Sequence, residues 1–223
     1  MFWNLWVETL KPLILFAGPE GSGKTTLGLH LKRIFENNGY KVKVVRIRGT
    51  HTLAYLLAMF FKKVLKFHGE DLHYYKVWIP EHLEKFWLLV EFISAIPLIL
   101  LYYYLYRVSY VVISERSLVD LVAWILGGLK SKKDVVESPF FRIMLIFASK
   151  YKPFYITANI NDLIKRKSCE KDLILNLITY YEMLHKILEL KCINTSKYTI
   201  KECLIILSQD HGWLVASSRV HCL

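Results

Sequence analysis

Leu13-Ile14-Leu15-Phe16-Ala17-Gly18-Pro19-Glu20-Gly21-Ser22-Gly23-Lys24-Thr25-Thr26 is the stretch on which the fold turns. Its opening LILFA is an uninterrupted apolar run of a length that suits a strand buried on both faces. From Gly18 to Thr25 the residues fit G-x-x-x-x-G-K-[ST]. From Thr25 to Asn38 apolar side chains then return at helical spacing through Leu27, Leu31, Ile34 and Phe35. Strand, glycine-rich loop and helix in this order form a cradle for phosphate. The glycines let the backbone close on an anion, successive N–H groups point at its oxygens, and the helix contributes its positive end. Gly18, Glu20, Gly21, Ser22, Gly23, Lys24, Thr25 and Thr26 are therefore read as the binding loop for a nucleoside triphosphate. Lys24 is expected to reach the β- and γ-phosphates, and the Thr25 hydroxyl to ligate a Mg2+ that bridges them.

Working outward, Asn37-Asn38-Gly39 supplies residues that tolerate a left-handed turn, and 40–47 (YKVKVVRI) resumes β-branched alternation as a second strand. Further strands are read at 110–114 and 154–157, with a short one at 192–194. Helices are read over 53–67, from 81 onward, and over 118–126, 139–149, 161–167, 171–190 and 200–209. Gly127-Gly128 and Ser131-Lys132-Lys133 mark a mobile loop. Strands alternating with helices predict an α/β three-layer sandwich around a mostly parallel five-stranded sheet. A length of 223 residues fits one domain: an N-terminal arm over 1–12, a core over 13–207 and a tail over 208–223.

Composition narrows the class. Apolar residues make up 54% of the chain, which excludes a disordered or low-complexity protein. A net charge of +11 favours polyanions, whether nucleotides, nucleic acid or anionic lipid. Cys169, Cys192, Cys203 and Cys222 form no C-x-x-C pair and no finger spacing with histidine, so neither a zinc site nor a disulfide framework is expected. With no secretory leader in MFWNLWVETLKP, a cytoplasmic protein is expected. Residues 86–106 (FWLLVEFISAIPLILLYYYLY) are long enough to cross a bilayer and carry one charge, Glu91. A crossing there would put the phosphate loop and everything after residue 106 on opposite sides, so a buried core helix is the reading adopted. Peripheral contact with a membrane stays open.

Phosphoryl transfer needs a carboxylate near the metal and cations around the moving group. The third strand ends in Ile113-Ser114-Glu115-Arg116-Ser117, at the carboxyl edge of the sheet where ligands of such folds bind. Glu115 is placed on the metal and Arg116 on a substrate phosphate; a strand-end ion pair on the surface is the other reading of the same residues. Arg46 and Arg48 flank Ile47 and can face an acceptor anion or solvent. Lys165, Arg166, Lys167 and Lys171 mark either a lid, near 161–172, that closes over the triphosphate or a solvated helix face. Arg166 is taken as its catalytic member, with Lys24 and Arg116.

Three patches resemble the thymidylate kinase family, within the P-loop nucleoside monophosphate kinases. They are Phe16 to Thr26, Val111 to Ser117, and Phe154 to Lys167, the strand, turn and helix that lead into the family's basic lid. The resemblance implies an acid at Glu20 that approaches the acceptor sugar, and the family's Asp-Arg pair at Glu115 and Arg116. It also implies a homodimer formed through long helices, here 81–106. Departures concern the acceptor. Ala17 and Ser117 replace an acid and an aromatic, and 46–50 (RIRGT) only loosely matches the family's Arg-Glu-Pro-Gly-Gly-Thr. No Asp-Arg pair lies on the helix from Trp87, where Ser94 stands near the arginine's place. The resemblance implies ATP and Mg2+ as cofactors and transfer to a nucleoside monophosphate, dTMP first, with Glu20, Arg46, Arg48 and Arg116 on the acceptor. The rival readings are an NTP-binding switch or ATPase that works with nucleic acid or a membrane partner, and a kinase of a non-nucleotide acceptor.

Overall fold

The computed structural model describes residues 10–47, 53–64, 66, 77, 79–168 and 171–211. At its centre lies β1 (Leu13–Ala17), hydrogen-bonded in parallel to β3 (Val111–Ser114) on one side and β4 (Phe154–Thr157) on the other. The outer strands are β2 (Val42–Val45) beside β3 and β5 (Cys192–Asn194) beside β4. Among the described residues this gives five parallel strands in the order β2-β3-β1-β4-β5. All four residues of β3 are buried, as are the last four of β1, which is why both read in sequence as continuous apolar runs.

Helices cover both faces. Helix α1 (Lys24–Asn37) and the last helix, Ile200–His211, bury Leu27, Leu31, Phe35, Cys203 and Leu207 against Ile14, Phe16, Ile113 and Ile156. The opposite face is thicker. It holds α2 (Leu53–Val64), a helical run from Glu81 to Val108 that contains α3 (Glu84–Ile99), then α4 (Leu118–Gly128), α5 (Lys132–Glu137), α6 (Pro139–Tyr151) and, after α7 (Ile160–Arg166), α8 (Lys171–Ile187); the last helix is α9. Every residue of α4 from Leu118 to Leu126 is buried, so it is the central helix of that layer. Burial of each large side chain there contributes roughly 1.5–3 kcal/mol.

Strand register positions the site. Leu15 and Val45 both stand opposite Ser114, so β2 and β3 end at one level and β1 runs two residues beyond them to Ala17. The loops after β1 and β3 meet where the strand order reverses, between those two strands, which is the crevice in which open α/β sheets bind ligands.

Two expectations change. The loop expected at 127–133 is a tied connection into α5. The backbone N–H groups of Lys130 and Ser131 donate to the buried Glu84 carboxylate at 2.7 and 2.9 Å, and the Lys132 ammonium donates to the carbonyls of Leu126 and Leu129. The helical run of 81–108 is only partly core. Its inner side buries Trp87, Leu88, Glu91, Ser94 and Tyr103, while Phe86, Ile93, Leu100 and Leu105 stand exposed. Pro97 has no N–H for the carbonyl four residues back, and the helix widens to a π segment over Leu100–Leu105 just beyond it. Most of the N-terminal arm and of the tail lies outside the described residues.

Candidate active site

The loop between β1 and α1 follows from its glycines. Gly21 and Gly23 have φ of 78° and 92°, a region that side chains resist. Gly23 offers no side chain to cap α1 and no acid stands in the first turn, which leaves the N–H groups of that turn for an anion. Lys24 curls back over the loop, and its ammonium donates to the carbonyls of Gly18 and Pro19 at 2.6 and 2.7 Å and to Ser22 Oγ at 3.2 Å. All three are neutral acceptors, so the charge is held in place without being neutralised by contact.

Gly18 differs from the assignment made for it. Its N–H donates to Asp120 Oδ1 at 3.2 Å, inward and away from the cradle, and a Cβ at this position would lie 2.0 Å from the Ile156 carbonyl oxygen. Gly18 is needed for the close passage of loop against β4, with its N–H already committed.

Two carboxylate–guanidinium pairs close the rim. Glu115, buried at the end of β3, takes a hydrogen bond from Thr25 Oγ1 at 3.1 Å and pairs with Arg46 through Nε and Nη2. Arg116 pairs with Glu20, and its guanidinium lies 5.5 Å from the Trp124 ring centroid. Thus Thr25 and Glu115, the expected metal ligands, do meet. Among the described residues no group of three or more His, Cys, Asp or Glu side chains gathers to hold a metal. One hydroxyl and one carboxylate beside a phosphate cradle fit Mg2+, which takes most of its ligands from phosphate and water.

Arg166, at the end of α7, donates to Gly21 O and Thr195 Oγ1, each at 3.1 Å, so the lid arginine reaches the loop. A cavity of about 560 Å³ is lined by Glu20 through Leu27, Arg46, Glu115, Arg116 and Arg166. Arg48 lies outside the described residues. Ser94 is not aimed at a ligand, because its Oγ accepts the Ala54 N–H at 2.9 Å at the start of α2.

Sequence reasoning missed several residues of the site. Thr195, Tyr198, Ile200 and Cys203 line the cavity beyond Arg166, and the Thr195 hydroxyl lies 3.0 Å from Ser22 O. Beneath the loop sits Asp120. Its Oδ1 also accepts from the Tyr181 hydroxyl at 2.9 Å, and its Oδ2 accepts the Ser117 N–H at 2.8 Å. The S-x-x-D spacing of Ser117 and Asp120, a capping box, was the available signal.

Burial is the main reason that the Lys24 ammonium is pushed down to about 8. Asp120, Glu20 and Glu115 oppose the shift and Arg116 adds to it. Between pH 8 and Lys24's ordinary 10.5 the unfolded chain binds more protons than the folded one, so the ligand-free protein gains stability as pH rises through that window. Phosphate binding favours the charged form. Triphosphate binding at pH 8 is therefore expected to take up about half a proton, and affinity to fall above it. Calorimetric titration in phosphate and in Tris buffer, whose ionisation enthalpies differ, measures the uptake; equal apparent enthalpies in the two buffers would refute it.

No protein-family model matches the chain, and no curated protein matches it. Among solved structures it is similar to thymidylate kinase from Candida albicans, with a TM-score of 0.58 and 14% identity over 92% of each chain. It is also similar to deoxyadenosine kinase from M. mycoides with bound dCTP, with a TM-score of 0.48 and 11% identity over 90% of this chain and 99% of that one. The first likeness establishes the three-layer α/β kinase fold.

Proposed function

We propose that the chain is a Mg2+-dependent phosphotransferase that moves the γ-phosphoryl group of ATP to a nucleoside monophosphate, with dTMP as the leading acceptor. The reading rests on one observation above all: Lys24, Thr25 with the Glu115–Arg46 pair, and the Glu20–Arg116 pair line a single cavity. At about 560 Å³ that cavity is of the size that encloses a small ligand. The shared fold with a thymidylate kinase supports the same reading.

In this mechanism Lys24 and the loop N–H groups hold the β- and γ-phosphates, while Thr25 and Glu115 would hold Mg2+, whose charge would offset that of the transferring oxygens. Arg116 grips the acceptor phosphate bidentately once Glu20 turns toward the acceptor sugar. An oxygen of the acceptor phosphate bonds to the γ-phosphorus as the bond to the β-bridging oxygen breaks, leaving ADP and a nucleoside diphosphate. A phosphate monoester is mostly dianionic at neutral pH, so the attacking oxygen needs no base. What remains for the protein is positioning and charge, supplied by Arg46, Arg116 and Arg166.

The decisive test is ADP formation from Mg-ATP across dTMP, dUMP, dCMP, CMP, AMP and GMP at low salt. Turnover on one monophosphate, well above hydrolysis without acceptor, is expected. ATP hydrolysis at the same rate with and without every acceptor would defeat the proposal in favour of an ATPase.

A further inference from the structure

The acceptor-side layer ends in a surface that the proposed chemistry does not use. Helix α2 and the Glu81–Val108 helix pack antiparallel: Ala54 bonds to Ser94, and the rings of Phe61 and Trp87 lie 6.0 Å apart. On their outer sides Leu56 is 65% exposed, Phe60 50%, Ile93 44%, Leu100 53% and Leu105 64%. From Phe86 to Leu105 every exposed residue of the long helix is apolar, a stripe about 30 Å long at the helical rise. Patches of this extent on a soluble surface mark an interaction site.

Both ends of the stripe are cationic. At the Phe86 end, where α2 finishes, stand Lys62, Lys63 and Lys66. At the Val108 end the Lys11 N–H donates to the Arg107 carbonyl and the Arg107 Nε donates to the Lys11 carbonyl, and the Lys43 ammonium lies 5.3 Å from the Tyr106 ring centroid, with Tyr102 stacked on Tyr106 at 5.7 Å. Among the described residues of the two helices Glu81 is the sole exposed acid; nearby, Asp134 is paired with Lys85 at 3.2 Å.

We infer that this face docks onto the surface of an anionic bilayer, with the two helices lying in the plane of the interface. An apolar face rimmed by lysine, arginine and tyrosine is the pattern that sits at the headgroup boundary: the stripe enters the acyl edge, the rings stay at headgroup level, and the cations meet lipid phosphates. The long helix does not cross the membrane, because Trp87, Glu91, Ser94 and Tyr103 on its other side are buried in the fold. A second copy is the lesser fit. A two-fold contact would oppose the cationic ends of one stripe to those of the other, and among the described residues of the two helices only Glu81 is an exposed acid to offset the meeting of two chains of +11. The inference is independent of the activity proposed above, and its test reads no turnover.

The full chain is to be sedimented with sucrose-loaded vesicles of phosphatidylcholine alone and with one-third phosphatidylserine, beside sedimentation velocity without lipid. Binding to the anionic vesicles and weak binding to the neutral ones are expected. The variant Leu56→Glu/Phe60→Glu/Leu100→Glu, altered at exposed positions, should return to background. Lys62→Ala/Lys63→Ala/Lys66→Ala should lose about fivefold in partitioning per charge. Equal binding to both vesicles, or no loss in the lysine variant, overturns the inference. So does a lipid-indifferent wild type, whether monomeric or a dimer that the glutamate variant dissociates. The lysine variant touches no core residue and keeps the test decisive should the glutamate variant misfold.

Discussion

Lys24→Ala is expected to lower turnover by about 10²–10³-fold, the usual consequence of removing one charged donor from a developing phosphoryl charge, while the protein stays folded. The two halves of this expectation come from the same geometry. The ammonium is buried and bound by three neutral oxygens, Gly18 O, Pro19 O and Ser22 Oγ, so its charge is desolvated in advance of the phosphates. Burial that pushes its pKa down to about 8 also means that the free protein bears a cost for keeping it charged at neutral pH. Alanine removes that cost, and Ser22, whose Oγ is one of the three oxygens released, lines the cavity, from which water can take the place of the lysine. The melting temperature at pH 7 should therefore hold or rise while binding of the triphosphate collapses. Calorimetric titration with Mg-ATP and a thermal melt on one preparation measure both. Undiminished turnover would remove Lys24 from the catalytic set; a large drop in melting temperature would contradict the account of its burial.

Much of this site was legible in the chain, for reasons that differ between residues. The loop from Gly18 to Thr26 is contiguous, and a cradle made by consecutive N–H groups has to be written consecutively. Glu115 and Arg116 were legible because a buried parallel strand reads as an apolar run, so the polar pair that ends it stands out at the sheet edge. The pairings themselves were not legible. Arg46 with Glu115 and Glu20 with Arg116 join segments that only the β2-β3-β1 order makes neighbours. Thr195 lies 173 positions from the Ser22 carbonyl that it approaches, and nothing local to β5 marks it. The helix of 81–108 misled in another way. A stripe that faces solvent and a stripe that faces the core have the same composition, and a helix apolar on both carries no periodicity to tell them apart.

The largest expected loss of stability is at Asp120. This carboxyl group, 1% exposed, joins three parts of the fold: Oδ1 accepts from Gly18 N–H and the Tyr181 hydroxyl, and Oδ2 accepts from Ser117 N–H at the start of α4. Burial pushes its own pKa up, against the pull of Lys24 and then Arg116, and burial likewise drives the Tyr181 hydroxyl well above the ordinary range. Asp120→Ala leaves those donors without their acceptor and removes the anion that most favours the charged form of Lys24, while Arg116 keeps Glu20. Breaking such a buried network by removing one partner costs about 3–5 kcal/mol, a large fraction of a domain's stability. Urea unfolding at pH 7 against the parent reads this directly, and a loss below about 1 kcal/mol would show that the network is not what holds the loop. Asp120→Asn separates shape from charge. It keeps the volume, but Asp120 is the foremost influence that holds the Lys24 pKa up, so in the asparagine variant that pKa falls further. Proton uptake on triphosphate binding should then centre below pH 8, with the loop still formed. If the uptake stays centred at 8, Asp120 supports the loop through hydrogen bonds alone; if it moves, the same carboxylate that anchors Gly18 also sets the charge of Lys24, the group proposed to meet the phosphates.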